Sequence, residues 1–137
     1  MNNYFEVKAK VKRIDNVTGK EKQVSEQYLV NALSFTEAES RTNSYLEEET
    51  GEFSVMAIKK SNIESLLQGE EEKYYLAKIE FMEVDDNGKV KTAKTNLLLT
   101  AETPDSALTK VKEHTSTWMT DNTLVALQET AILDYIQ

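Results

Sequence analysis

Tyr4-Phe5-Glu6-Val7-Lys8-Ala9-Lys10-Val11-Lys12-Arg13-Ile14 begins the first half of the chain, and Tyr74-Tyr75-Leu76-Ala77-Lys78-Ile79-Glu80-Phe81-Met82-Glu83-Val84 begins the second. In the first stretch Phe5, Val7, Ala9 and Val11 alternate with Glu6, Lys8, Lys10 and Lys12. In the second, Tyr75, Ala77, Ile79 and Phe81 hold the apolar places. Strict period-two alternation predicts a strand with one buried and one wet face. Asp15-Asn16-Val17-Thr18-Gly19 follows the first stretch and Asp85-Asp86-Asn87-Gly88 the second. Both are turn sequences that return the chain as a hairpin, because Asp bonds nearby backbone and Gly accepts positive φ.

The correspondence continues outward. Tyr4-Phe5 aligns with Tyr74-Tyr75, Lys8 with Lys78, Val11 with Phe81 and Asp15 with Asp85. After a one-residue gap in the turn, Gly19-Lys20 aligns with Gly88-Lys89 and Lys22 with Lys91. Tyr28-Leu29-Val30 aligns with Leu97-Leu98-Leu99, Ser34 with Thr103, Ala38 with Ala107, Val55-Met56-Ala57-Ile58 with Leu124-Val125-Ala126-Leu127, and Ile63 with Ile132. A constant offset on each side of one gap marks an internal duplication in which the apolar pattern outlasts the identities.

Each copy reads as hairpin, helix, strand. Ser34-Phe35-Thr36-Glu37 is a capping-box sequence that starts a helix running to about Glu49. Thr103-Pro104 combines an N-cap with proline at the first helical position. The stretch from Phe53 to Ile58 is apolar on both faces and predicts an interior strand. Ile63, Leu66 and Leu67 have helical spacing, so residues 61–67 read as a short helix. The expectation is an α+β protein: two tandem ββαβ repeats in one mostly antiparallel sheet, helices on one face, with a pseudo-two-fold axis. Residues 1–137 are expected to form a single domain, with repeat one at 4–67, a polar linker at 68–73 and repeat two at 74–136.

Composition narrows the function classes. Hydrophobic residues at 39% allow a core, and no apolar run approaches a membrane span. Met1-Asn2-Asn3 leads into a strand with no apolar leader, which predicts a cytoplasmic protein. Cysteine is absent, excluding a disulfide framework and thiolate chemistry. The net charge of −8 argues against coating duplex DNA through the overall field. The charge is nevertheless polarised. Residues 4–32 and 73–101 hold 11 of the 16 basic residues but 8 of the 24 acids, a net +3 against −11 elsewhere.

No catalytic or metal signature is present. His114 is the sole histidine and has no clustered ligands in the sequence, whereas zinc needs three or four. Asp85-Asp86-Asn87-Gly88 lacks the later bidentate Glu of a calcium loop. With only four glycines there is no phosphate-cradling loop. The expectation is a non-enzymatic protein without cofactor or metal.

What remains is the wet face of the hairpins. Tyr4, Lys8, Lys10 and Lys12 lie there by alternation, Tyr74 and Lys78 match them, and Lys20, Lys22, Lys89 and Lys91 follow the turns. Rings interleaved with lysines suit single-stranded nucleic acid, whose bases stack while lysines follow the backbone. Lysines on a strand face also serve as solvated edge protection, so the pattern alone leaves both readings open.

Tyr28-Leu29-Val30-Asn31-Ala32-Leu33-Ser34-Phe35-Thr36-Glu37-Ala38-Glu39 and Val55-Met56-Ala57-Ile58-Lys59-Lys60 resemble an uncharacterised domain family of Bacteroidetes and their phages, crAss-like phages included. The resemblance covers nearly the whole chain and carries no activity or functional residues. It implies a bacterial cytoplasm and a phage or mobile-element setting. The duplicated layout is also similar, as a layout only, to Pur-like and whirly single-strand binders. The leading expectation is therefore a single-strand binder in phage or mobile-element replication. The alternatives are a module that binds a host protein through its acidic surface, and a sponge for a small nucleotide held between the copies.

Overall fold

The computed structural model describes residues 3–137; Met1 and Asn2, read above as the start of a leaderless chain, lie outside the described residues. The elements in chain order are β1 (Tyr4–Ile14), β2 (Glu21–Asn31), α1 (Phe35–Glu49), β3 (Phe53–Lys60), β4 (Ser65–Leu67), β5 (Lys73–Val84), β6 (Val90–Ala101), α2 (Pro104–Thr115), β7 (Asn122–Glu129) and β8 (Ile132–Ile136). The fold is α+β, and the ββαβ order recurs as β1-β2-α1-β3 and β5-β6-α2-β7.

The expected single sheet is divided in two. One sheet has the order β3-β1-β2-β8 and the other β4-β6-β5-β7. The chain correspondingly forms two compact units. Unit one is the segment up to Asn62 together with Ala131–Gln137, and unit two is Ile63–Thr130. In each, the fourth strand comes from the tail of the other copy. β8 runs parallel to β2, with Val30 opposite Ile136. β4 runs parallel to β6, with Leu99 opposite Leu67. These pairs occupy equivalent repeat positions, so the copies exchange their last strands.

Two local expectations are corrected. Residues 61–67 do not form a helix: Ser65–Leu67 is a strand whose backbone groups pair with β6. A three-residue run fits either period, and here the free edge of β6 decides. β3 is an edge strand, not an interior one, and Met56 is 54% exposed.

Both hairpins are fixed by the same device. Asp15 Oδ1 accepts from the Val17 and Thr18 amides at 2.7 and 3.2 Å. Asp85 Oδ1 accepts from the Asn87 and Lys89 amides at 2.9 and 2.8 Å. Gly19 and Gly88 follow at φ 70° and 79°, where a Cβ would be strained. Caps then set the helix starts. Ser34 Oγ accepts from the Glu37 amide at 3.1 Å, while the Glu37 carboxylate reaches the Leu33 amide at 3.5 Å. Thr103 and Ser106 form a reciprocal capping box.

Each helix covers one face of its own sheet. In unit one Phe5, Val7, Ala9 and Val11 pack with Tyr28, Val30, Ala38, Leu46 and Ile136. In unit two Tyr75, Ala77, Ile79, Leu97 and Leu99 pack with Ala107 and Val111. Burying each large aliphatic side chain contributes about 1.5–3 kcal/mol. Ala38 and Ala107 are fully buried on the sheet-facing side of each helix, and their small size allows that close contact. At the far end of α1, Arg13 Nη2 donates to Glu26 at 2.9 Å and Nη1 lies 3.6 Å from Glu49. Tyr28 also donates to Glu26, and Tyr28 and Tyr45 meet edge to face. Among the described residues, no helix is long and apolar enough to cross a membrane.

Candidate nucleic-acid interface

The alternation of β1 turns Lys8, Lys10 and Lys12 away from α1, and all three are exposed. Across the β2 ladder they face Gln27, Ser25 and Gln23. Across the β3 ladder Lys8 faces Ala57 and Lys10 faces Ser54. The three lysines thus stand in a row, with uncharged side chains across both ladders from Lys8 and Lys10 and with Glu21 and Glu52 beside Lys12. Two depressions lie along this row. One, of about 550 Å³, is lined by Lys10, Lys12, Gln23 and Ser54, with Glu52 at its margin. The other, of about 220 Å³, is lined by Glu6, Lys8, Gln27, Ala57 and Lys59.

The ends of the row differ. At one end Lys12 Nζ sits 2.9 Å from Glu52 and 3.2 Å from Glu21. Its bonds to these carboxylates raise its pKa, that to Glu52 contributing most, so Lys12 is a charged but engaged cation. Lys8 and Lys10 form no ion pair among the described residues. At the other end Glu6 lies across the ladder from Lys59. Beyond it the half-buried ring of Tyr4 meets Tyr135 edge to face, with centroids 6.1 Å apart.

The other residues picked out by the pattern are placed differently. Lys22 lies opposite Arg13 on the ladder and so projects from the helix side of its sheet. Lys20 is exposed in the turn before β2. In unit two Lys78 is exposed on the face away from α2, but its strand continues with Glu80 and Met82 where β1 has Lys10 and Lys12. Lys89 is exposed beside its turn, and Lys91 lies across from Glu83 on the helix side. Tyr74 is 3% exposed, and its hydroxyl accepts from Gln68 Nε2 at 3.1 Å, so its ring offers no free stacking face. The structure therefore brings together Lys8, Lys10 and Lys12, with Tyr4 at the end of the row, and leaves the unit-two residues without an equivalent row.

Lys59 completes the smaller depression and was missed in the sequence. Its signal was the ladder, not the pattern: Lys59 shares a face with Glu6, whereas the adjacent Lys60 places its ammonium 4.8 Å from the Phe5 ring on the core side. No curated protein and no solved structure matches the chain. Residues 3–137 match the family described as Domain of unknown function (DUF4494), and the chain belongs to that family.

Proposed function

We propose that the Lys8–Lys10–Lys12 face of unit one binds single-stranded nucleic acid without catalysing a reaction. The observation that carries this reading is the row itself. Lysines two residues apart on one strand are separated by about 7 Å, comparable to the phosphate spacing of an extended single strand. The Gln and Ser side chains between the lysines can hydrogen-bond sugar and base edges, while Glu6 and Glu52 stand at the two ends of the row. The setting that suits the reading is a bacterial cytoplasm and the replication of a Bacteroidetes phage or mobile element, where single strands are exposed. Fluorescence anisotropy of a labelled single-stranded oligonucleotide tests it: binding by the native protein and loss with K8E/K10E/K12E supports the reading, and equal behaviour of both proteins overturns it.

One feature favours a second reading, a host protein as partner. Glu47 and Glu48, beside the Arg13-paired Glu49, end α1 with no basic residue in the last turn, against the helix dipole. A basic partner would relieve that repulsion. Recovery of one stoichiometric host protein, lost when these residues become Gln, would support it.

A further inference from the structure

The duplication exposes a difference at the far end of each helix. In unit one the place is held by Arg13, Glu26 and Tyr28, with Tyr45 bonded to Asp134 at 2.9 Å. The equivalent residues of unit two are Glu83, Thr95, Leu97, His114 and Ser65. None of them rebuilds the network, and Leu97 is shorter than the buried tyrosine it replaces. A groove of about 660 Å³ opens there, with Phe81, Leu97 and Trp118 among its walls and Met119 at its mouth. Trp118 is held edge to face by Phe81 at 6.0 Å and by His114 at 5.8 Å. Met119 is fully exposed.

Among the described residues, the only charged side chains lining the groove are Glu64 and Glu83. Among the described residues neither forms an ion pair. Glu64 accepts only from Thr95 Oγ1 at 3.2 Å, and Lys91, across the ladder from Glu83, is not within ion-pairing distance. The size is that of a small-molecule site, and thioethers beside rings adapt to varied apolar shapes. We infer that this groove binds a small molecule with a planar apolar body and one cationic group, the body against Trp118 and Phe81 and the cation toward Glu64 and Glu83. The charge of the rim selects the cation, and a row of anionic phosphates is excluded by the same carboxylates.

Trp118 is the single tryptophan of the chain, so its indole N–H gives one resonance that reports directly on the groove. The full chain is titrated with naphthylmethylammonium, naphthylmethanol and naphthoate. The inference expects a saturable shift of the Trp118 resonance with the ammonium probe, about tenfold weaker binding of the alcohol, and none of the acid. E64Q/E83Q should remove the preference for the ammonium probe while sparing the alcohol. L97Y should close the groove. M119K, at a fully exposed position that leaves the core intact, should repel the ammonium probe even if L97Y does not fold. An absent shift, equal affinity for the three probes, or a protein-concentration dependence showing a second copy over the groove would each overturn it.

Discussion

The Tyr45 hydroxyl donates to Asp134 Oδ2 at 2.9 Å, joining residues 89 positions apart. The bond fastens α1 to β8, the strand that the end of the second copy supplies to unit one. Ile136 adds an apolar anchor in the same core. Unit one is thus incomplete without the last residues of the chain. Ile136→Ala should cost about 2–4 kcal/mol by the cavity it leaves, measured by denaturant unfolding. Ending the chain at Thr130 should raise hydrogen exchange at residues 27–30 of β2, which pair with β8.

The Arg13–Glu26 pair makes a pH prediction. Burial opposes ionisation of Glu26, but the bonds from Arg13 and Tyr28 outweigh it and leave the carboxyl below its ordinary pKa. A depressed carboxylate contributes stability that is present above the unfolded pKa of about 4.5 and is lost as pH falls through the lower folded value. Arg13→Met should therefore destabilise the protein by roughly 1–3 kcal/mol at neutral pH. The gap between the two proteins should narrow in acid. Unfolding midpoints measured across that range would check it, and a gap independent of pH would count against the pair.

The equivalent positions Thr42 and Val111 offer a milder test. Thr42 is buried and donates only to the Ala38 carbonyl one turn earlier, at 2.8 Å. That bond is local to the helix, and the second copy has Val in its place. Thr42→Val should stay within about 1 kcal/mol of the native protein, since donor and desolvation cost leave together.

The hairpins and helix starts were legible because their signals are local: alternation in β1 and β5, Asp and Gly in the turns, and Ser34 and Thr103 at the caps. The division into two sheets was not, because alternation shows which face of a strand is buried and never which edge it pairs with. Ser65–Leu67 was unreadable for a related reason, since its only partner lies some thirty residues away on β6. Within the candidate site, the outward row of lysines was legible. The engagement of Lys12 by Glu52 was not, because it depends on the register between β1 and β3. Tyr74 has the periodicity of Tyr4 yet is buried, so an equivalent repeat position did not carry an equivalent surface.

The engagement of Lys12 has a consequence for binding. On the proposed reading a phosphate must displace Glu52, the nearer of the two carboxylate partners of Lys12. Glu52→Gln should free Lys12 and strengthen single-strand binding roughly two- to fivefold, the scale of one exposed ion pair. Anisotropy titrations of the two proteins side by side would show it. A weaker complex would mean that Glu52 orders Lys12 for its ligand.

The salt dependence of single-strand binding tests the central claim most directly. Three phosphate contacts predict that log Kobs falls against log salt with a slope of about −2, at about 0.7 per contact. Lys10→Gln should reduce the slope to about −1.4, because the proposed site counts Lys10 among its three contacts. A slope unchanged by Lys10→Gln would contradict the assignment of the site to this face. No measurable complex at low salt would contradict single-strand binding altogether.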